Sequence, residues 1–277
     1  MRRRITDYRI SFIDFKNLAD FLKEHFDFDL NVFAFTITKM RIDKFCINYN
    51  IKNFEELLKY LKKTTFFNIL ISFLLVETTE LFRDPDFWVK LKRKYVVKYI
   101  GTSFKVWVPD VTSDDELISF LILLNELKML ETTKVLVTSF YNKSNPEILY
   151  KRAISEKKFN YSLSNYMKYN GESDLLEYFS QNNKSLIPKD FLFQNVTFKQ
   201  FTMWKDSMPE NEFDFVLFRN RMLYYSPIIV DQIYKTIYTS LKYKGLIAIG
   251  VKEKIQTLDN SINFVQSEKN CNIYFKK

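Results

Sequence analysis

The sequence predicts an α/β protein in which a small helical domain precedes an open, mostly parallel sheet covered by helices. Three observations lead to this prediction. Apolar residues recur at steps of three and four in the first part of the chain. After about residue 100, short β-branched runs alternate with amphipathic stretches. Hydrophobic residues make up 47% of the 277 residues, which is enough apolar surface for a folded core.

Residues 10–75 carry the helical pattern. The segment Phe12–Leu22 presents one apolar face. Residues 54–61 repeat the pattern behind Asn53, a candidate N-cap. Phe66–Val76 is apolar apart from two polar residues, and we expect it to form a buried helix.

Strands and helices alternate after residue 100, as is typical of a parallel sheet covered on both faces. The predicted elements are strand 104–108, helix 114–128, strand 134–140, helix 146–154, strand 213–218, helix 228–241 and strand 246–251. Residues 176–200 interrupt this order and predict an inserted antiparallel β-hairpin. The chain is therefore divided into a helical domain (1–75), a linker helix (76–103) and a Rossmann-like domain (104–277).

The rarest residue types exclude several kinds of chemistry. There are four glycines, whereas a phosphate-binding loop needs several in a short window, so a P-loop or a dinucleotide fingerprint is not favoured. The single histidine, His25, and the two distant cysteines, Cys46 and Cys271, do not favour a hydrolase triad or a zinc site. We expect His25 on a helix surface, both cysteines buried, and no metal site.

The net charge of +9 favours an acidic partner or a solvated lysine-rich surface. The excess is spread along the chain, which favours an acidic helical protein over nucleic acid. The densest group of cations, proposed as protein-binding, contains Lys90, Lys92, Arg93 and Lys94, with Lys98 close by. No apolar run approaches the ~20 residues of a membrane span, and no signal peptide is recognised, so we expect a cytoplasmic protein without membrane insertion.

The loop after the first predicted strand is the expected ligand position, because ligands bind at the carboxyl ends of strands in open α/β sheets. This loop, 109–116, has no glycine and contains four carboxylates, Asp110, Asp114, Asp115 and Glu116. Ser113 and Glu116 have the spacing of a capping box, and the two aspartates would lie in the first helical turn. The loop therefore favours a helix start over a ligand cradle.

Four segments of the chain carry recognisable motifs. TTELFRDP (78–85) is similar to T-x-F-F-R-(D/E)-P, and LFRNRMLYY (217–225) is similar to F-C-R-N-V-L-I-Y-F. LKYKGLIAIGVKE (241–253) is similar to L-x-P-G-G-x-L-x-L-G-x-x-E, and residues 107–124 align with a strand, loop and helix. Through these four segments the chain resembles the CheR family of chemotaxis-receptor glutamate methyltransferases, which use S-adenosylmethionine. The resemblance implies a helical domain, a linker and a methyltransferase sheet with an inserted β-subdomain, which docks a receptor peptide in some members.

The resemblance also implies candidate site residues. If the chain is active, Arg83 is the catalytic candidate, and the cofactor-binding candidates are Thr79, Arg83, Asp115 and Asn220. Asp110 and Asp114 stand where the family has the glycines of A-G-C-S-T-G-E-E. Ser139 stands where the family has an acid for the cofactor's ribose, and Thr202 stands where it has an asparagine near the adenine.

These departures lead to three hypotheses. The first is a catalytically inactive methyltransferase homologue, a pseudoenzyme that binds an acidic, receptor-like helical protein in bacterial signalling or motility without a cofactor. The second is an active S-adenosylmethionine-dependent protein-glutamate methyltransferase with an atypical pocket. The third is a cleft that binds another small ligand, such as a cation facing Asp110, Asp114 and Asp115.

Overall fold

The computed structural model describes residues 8–75, 80–111, 114–140, 153–182, 185–269 and 271–277. The chain divides into two compact units. The smaller unit comprises Met1–Val76 and Arg221–Val230, and the larger unit comprises Glu77–Asn220 and Asp231–Lys277. The division from sequence had assigned residues 221–230 to the sheet domain, whereas they group with the helices.

Helices dominate the described part of the smaller unit. They are α1 (Phe12–Phe26), α2 (Phe35–Asn48), α3 (Phe54–Leu61) and α4 (Thr64–Leu74), with a 3₁₀ turn at Leu30–Val32. The predicted apolar face of α1 is confirmed at Phe15, Leu18 and Leu22, which are buried, but not at Phe12, which is 57% exposed. The Asn53 side chain accepts a hydrogen bond from the backbone N–H of Glu56, which confirms the predicted N-cap of α3.

Several contacts fix the returning segment 221–230 to the helical part of the smaller unit, among them a hydrogen bond from the N–H of Ser226 to the carbonyl of Val32 at 2.9 Å. The N–H of Ala34 donates to the carbonyl of Tyr224 at 2.9 Å. The Arg41 guanidinium donates to the carbonyl of Phe73 at 2.8 Å and lies 5.3 Å from the centroid of the Tyr224 ring. Arg41 therefore ties the C-terminal end of α4 to the returning segment.

The larger unit is built on a seven-stranded sheet with a separate three-stranded sheet. The strands are β1 (Phe104–Val108), β2 (Thr133–Ser139), β3 (Ile154–Ser155), β4 (Phe179–Asn182), β5 (Ser185–Pro188), β6 (Val196–Gln200), β7 (Phe213–Leu217), β8 (Leu241–Ala248), β9 (Phe264–Gln266) and β10 (Ile273–Lys276). The order in the large sheet is β6-β2-β1-β7-β8-β10-β9. The pairs among β6, β2, β1, β7 and β8 are parallel, and β10 is antiparallel to both of its neighbours. The predicted mostly parallel sheet is thus confirmed.

Helices accompany this sheet. They are α5 (Pro85–Lys90), α6 (Asp115–Glu126), α7 (Glu156–Tyr169) and α8 (Pro227–Ser240). Every residue of 117–124 in α6 is buried, so this helix is enclosed on all sides. Nowhere in the described residues does a helix combine the length and the apolarity that crossing a bilayer requires.

The predicted hairpin over residues 176–200 is too long. Only β4 and β5 form the antiparallel pair, with β3 on the other side of β5. β6 instead pairs in parallel with β2 in the large sheet. The reason is Asn195, whose side-chain amide donates to the carbonyl of Glu131 at 2.7 Å and whose carbonyl accepts from Val135 at 3.1 Å. These bonds direct the chain into the large sheet before β6 begins.

The stretch assigned to a linker helix is packed into the larger unit. Helix α5 continues as a π-helical turn at Leu91–Tyr95 and a 3₁₀ turn at Val96–Tyr99. Trp88 and Leu91 are fully buried in the same apolar core as β1 and α6. This segment is therefore part of the core. Each large apolar side chain contributes about 1.5–3 kcal/mol to the stability of the fold when it is removed from water.

Three smaller expectations can also be compared with the structure. Cys46 and Cys271 are buried as predicted, and burial raises the pKa of the Cys46 thiol to about 12. His25 is exposed at the end of α1, as predicted, and its ring stacks on Phe21 with centroids 4.2 Å apart. The predicted helix 146–154 lies outside the described residues except at its end, where Ile154 belongs to β3.

Lys244 has a left-handed backbone, with φ 60°, in an exposed part of β8. Since a side chain is strained in this region and glycine is not, Lys244→Gly should raise the free energy of unfolding by about 0.5–1 kcal/mol. Urea denaturation of both proteins measures this change. Lys252→Gly is the matched control at an exposed lysine without positive φ, and it should give no gain. An equal gain from both variants would contradict the strain at Lys244.

Candidate functional site

The candidate site lies at the carboxyl ends of the parallel strands. The strand order reverses between β1 and β7, since β2 and β6 lie on one side and β8 on the other. Ligands of open α/β sheets bind outside the strand ends at such a switch point. The loops that leave β1 and β7 therefore form the candidate cleft.

The loop after β1 carries buried carboxylates. Asp110 has φ 52° and is 3% exposed, and Asp114 is also 3% exposed. Aspartate tolerates the left-handed backbone better than most residues, so Asp110 keeps a conformation that glycine adopts without strain. The N–H of Val111 donates to the carbonyl of Thr138 at 2.9 Å, which holds this loop against β2.

The first turn of α6 binds two internal cations. The carboxylate of Asp115 is fully buried and lies 2.8 Å from Nζ of Lys158 in α7. The Glu116 carboxylate accepts two hydrogen bonds from Nη1 of Arg219, at 2.9 and 2.8 Å. Burial raises the pKa of Glu116, and the Arg219 charge opposes that rise. Ser113 lies outside the described residues, and the Glu116 carboxylate that the capping-box interpretation used is bound by Arg219.

Arg219 is the centre of this network. Its side chain is 0% exposed, and Nη2 donates to Asp84 at 2.7 Å. Its Nη1 donates to the carbonyl of Arg83 at 3.3 Å, and the guanidinium carbon lies 3.9 Å from the centroid of the Phe87 ring. Asp84 is therefore paired with Arg219, although Arg83 is its neighbour in the sequence.

A second brace joins the loops after β7 and β8. One Glu253 carboxylate oxygen accepts from the N–H of Asn220 at 2.8 Å and from the N–H of Gly250 at 2.6 Å. A Cβ on Gly250 would lie 2.4 Å from the Asn220 side-chain oxygen, so this close approach requires glycine. Asn220 has φ 58°, and its amide lies 3.4 Å from Glu116. The brace fixes Asn220 at the cleft.

The predicted cofactor-binding residues have different positions. Thr79 lies outside the described residues. Asp115 and Asn220 are both held in the cleft by the contacts above. Within the described part of the chain, no hydrogen bond or ion pair involves the Arg83 guanidinium, which is partly exposed. Ser139 is 6% exposed at the carboxyl end of β2, and its carbonyl accepts from the N–H of Phe201 at 3.1 Å.

The predicted protein-binding cluster is divided by the structure. Lys92 is 13% exposed and pairs with the buried Glu126 at 2.8 Å and with Glu172 at 2.6 Å, so it is an internal cation. Lys94 pairs with Glu268 at 2.8 Å on the surface. Arg93 and Lys98 are exposed, and Lys90 is partly exposed.

Sequence reasoning missed the two internal cations of the cleft. Arg219 follows directly on the buried strand β7, and a charged residue at that point is a signal for a buried ion pair. Lys158 gives no such signal, because it lies in a polar helical segment and its partner is 43 positions away.

The fold and this cleft define the class of Rossmann-like methyltransferase domains. Residues 77–271 match the family model described as "CheR methyltransferase, SAM binding domain". Because this match covers more than half of the chain, the chain belongs to the CheR methyltransferase family. The family implies S-adenosylmethionine as the cofactor.

Relatives with curated names agree with this assignment. Cher3 of Pseudomonas putida, provisionally named a methyltransferase, is 28% identical over 67% of this chain and 68% of its own length. The chemotaxis protein methyltransferases of Listeria innocua and Listeria monocytogenes are each 23% identical over 87% of this chain and 90% of their own length.

One solved methyltransferase structure illustrates a weak likeness to the chain. The S-adenosylmethionine-dependent methyltransferase SibL has a TM-score of 0.30 and 12% identity, and the match covers 57% of this chain and 33% of that one. A score this low supports no inference about the chain.

Removing the Arg219 charge should destabilise the protein strongly. Arg219→Met leaves the Asp84 and Glu116 carboxylates without their cation, which should lower the free energy of unfolding by about 3–5 kcal/mol. Chemical denaturation measures the loss. Arg93→Met, at an exposed arginine, is the control and should change stability by less than about 0.5 kcal/mol. Similar losses in both variants would contradict the role of the network.

Proposed function

We propose that this chain is a CheR-family protein that does not use S-adenosylmethionine and acts by binding an acidic protein partner. One observation carries the proposal: the side chain of Asp110 is buried in the β1–α6 loop, at the position of the family's first glycine. A Cβ and a carboxylate there occupy space that glycine leaves for a ligand.

The donor set of the loop does not fit the cofactor. S-adenosylmethionine ends in an ammonium and a carboxylate, and a cofactor carboxylate at this loop would face Asp110 and Asp114, which are both buried. Asp115, the counterpart of a family glutamate that contacts the cofactor, is bound to Lys158. Ser139 replaces the family's ribose-binding acid. Losing several charge-assisted hydrogen bonds, each worth ~1.5–3 kcal/mol, would weaken binding by more than ~10³-fold.

Cations in the segment after α5 define the proposed partner surface. Arg93 and Lys98 are exposed in the segment that follows α5, and Lys94 forms a surface ion pair with Glu268 of the kind that contributes little to stability. These cations suit an acidic helix. Because two relatives are named as chemotaxis methyltransferases, we infer a role in bacterial signalling.

A second candidate, an active protein-glutamate methyltransferase, is favoured by one observation. Arg83 is partly exposed, and no contact within the described residues engages its guanidinium, so it is available to a ligand. On this alternative, Arg83→Ala would reduce methyl transfer with little change in stability.

Calorimetric titration with S-adenosylhomocysteine decides between the two candidates. The proposal predicts no binding heat up to about 1 mM, because the cofactor would be bound more than ~10³-fold more weakly than by a cleft with the family residues. The variant Asp110→Gly/Asp114→Gly restores the two glycines and should bind at least tenfold more tightly than the unmodified chain. Micromolar binding by the unmodified chain would overturn the proposal and favour the enzyme.

Binding of a synthetic glutamate-rich helical peptide tests the partner surface. Arg93→Glu/Lys98→Glu should weaken this binding about tenfold, and the binding should weaken further as salt is raised. Lys252→Glu/Lys269→Glu carries the same charge change elsewhere in the larger unit and is the control. An equal loss in both variants would indicate that net charge, and not this surface, determines binding.

A further inference from the structure

The ion pair between Asp115 and Lys158 differs from the other ion pairs of the cleft. Asp115 begins α6 directly after the ligand-side loop, whereas Lys158 is contributed by α7. The two charged groups lie 2.8 Å apart, and the side chain of Asp115 is 0% exposed while that of Lys158 is 27% exposed. The buried carboxylate is thus paired with a cation whose side chain is partly exposed.

The base of Lys158 is held in place by hydrogen bonds. Its N–H donates to the Ser155 hydroxyl at 3.3 Å, and its carbonyl accepts from the Ser162 hydroxyl at 2.9 Å. The same Ser162 hydroxyl accepts from the N–H of Leu81 at 3.0 Å. The helix start and the segment before α5 therefore fix the lysine backbone.

The first turn of α6 is held just as firmly. The Ser119 hydroxyl donates to the carbonyl of Asp115 at 2.6 Å and accepts from the N–H of Phe82 at 2.8 Å. Residues 81 and 82 are thus hydrogen-bonded to α7 and to α6, respectively. Both partners of the ion pair are therefore positioned before any ligand arrives.

We propose that Lys158 is a built-in occupant of this end of the cleft: its ammonium group binds Asp115 where a primary ammonium group of a small ligand would otherwise bind. The Lys158 side chain therefore excludes such ligands from this end of the cleft. This inference deepens the proposed function and rests on it, because a cleft occupied in this way has no place for the charged end of a cofactor.

The experiment removes the tethered cation and returns it as a small molecule. Lys158→Ala lacks three methylene groups and the ammonium group, and n-propylammonium supplies these same atoms. Without the cation the buried Asp115 carboxylate loses its ion pair with Lys158, so the Tm should fall by about 10 °C. Millimolar n-propylammonium should restore most of that loss in the variant and leave the Tm of the unmodified chain unchanged.

Three controls separate charge from packing. Lys94→Ala breaks a surface pair of the same 2.8 Å length, with 52% and 43% exposed side chains, and should show little loss and no rescue. 1-Propanol has the shape of the amine without its charge and should not rescue Lys158→Ala. Asp115→Asn/Lys158→Met removes both charges and should fold without responding to the amine.

Each outcome has a consequence for the proposal. Rescue by propanol, rescue of the neutral double variant, or an unchanged Tm in Lys158→Ala would overturn it. If Lys158→Ala does not fold, folding of Asp115→Asn/Lys158→Met supports the charge role, and failure of both variants contradicts it. Binding of S-adenosylhomocysteine by the unmodified chain is measured separately and overturns the proposed function, so the two failures are distinguishable.

Discussion

The buried guanidinium of Arg219 is the interaction on which the rest of the larger unit depends. It joins Asp84 before α5, Glu116 in the first turn of α6 and the end of β7, three segments far apart in sequence. A charge that is fully removed from water is tolerated only while its partners stay in place. The left-handed backbone at Asp84, with φ 58°, is retained because its carboxylate is fixed by this contact.

The residues that match family motifs therefore have two kinds of role. Asp84, Glu116 and Arg219 come from three motifs and form one structural network, and Glu253 braces Asn220. Replacing any of them leaves a buried polar group without its partner. In the loop after β1, by contrast, the N–H of Val111 donates to the carbonyl of Thr138, a backbone contact that does not depend on a motif side chain.

Sequence periodicity predicts α1, α3 and α4 and the parallel strands β1, β2, β7 and β8, because those patterns are local. Contacts between distant residues were not predictable. The sequence places Lys92 in a cluster of cations that is predicted to bind a partner. Its burial depends on an ion pair with Glu126, which is 34 positions away. The sequence predicts β6 as one arm of a hairpin. The hydrogen bond from the Asn195 side chain to the carbonyl of Glu131 instead directs it into the large sheet. Aspartate tolerates a left-handed backbone but does not require one, so the residue type at Asp110 does not by itself predict its φ of 52°.

The distribution of charge explains why the cleft and the surface must be considered separately. The chain has a net charge of +9, yet Asp110, Asp114, Asp115 and Glu116 lie together at one edge of the sheet. Salt screens exposed charges beyond about 10 Å, whereas buried charges are determined by their immediate partners. The net charge therefore concerns partners that meet the surface. Which ligand the cleft can bind depends on how its carboxylates are neutralised by nearby cations. Arg219 binds Glu116, and Lys158 binds Asp115.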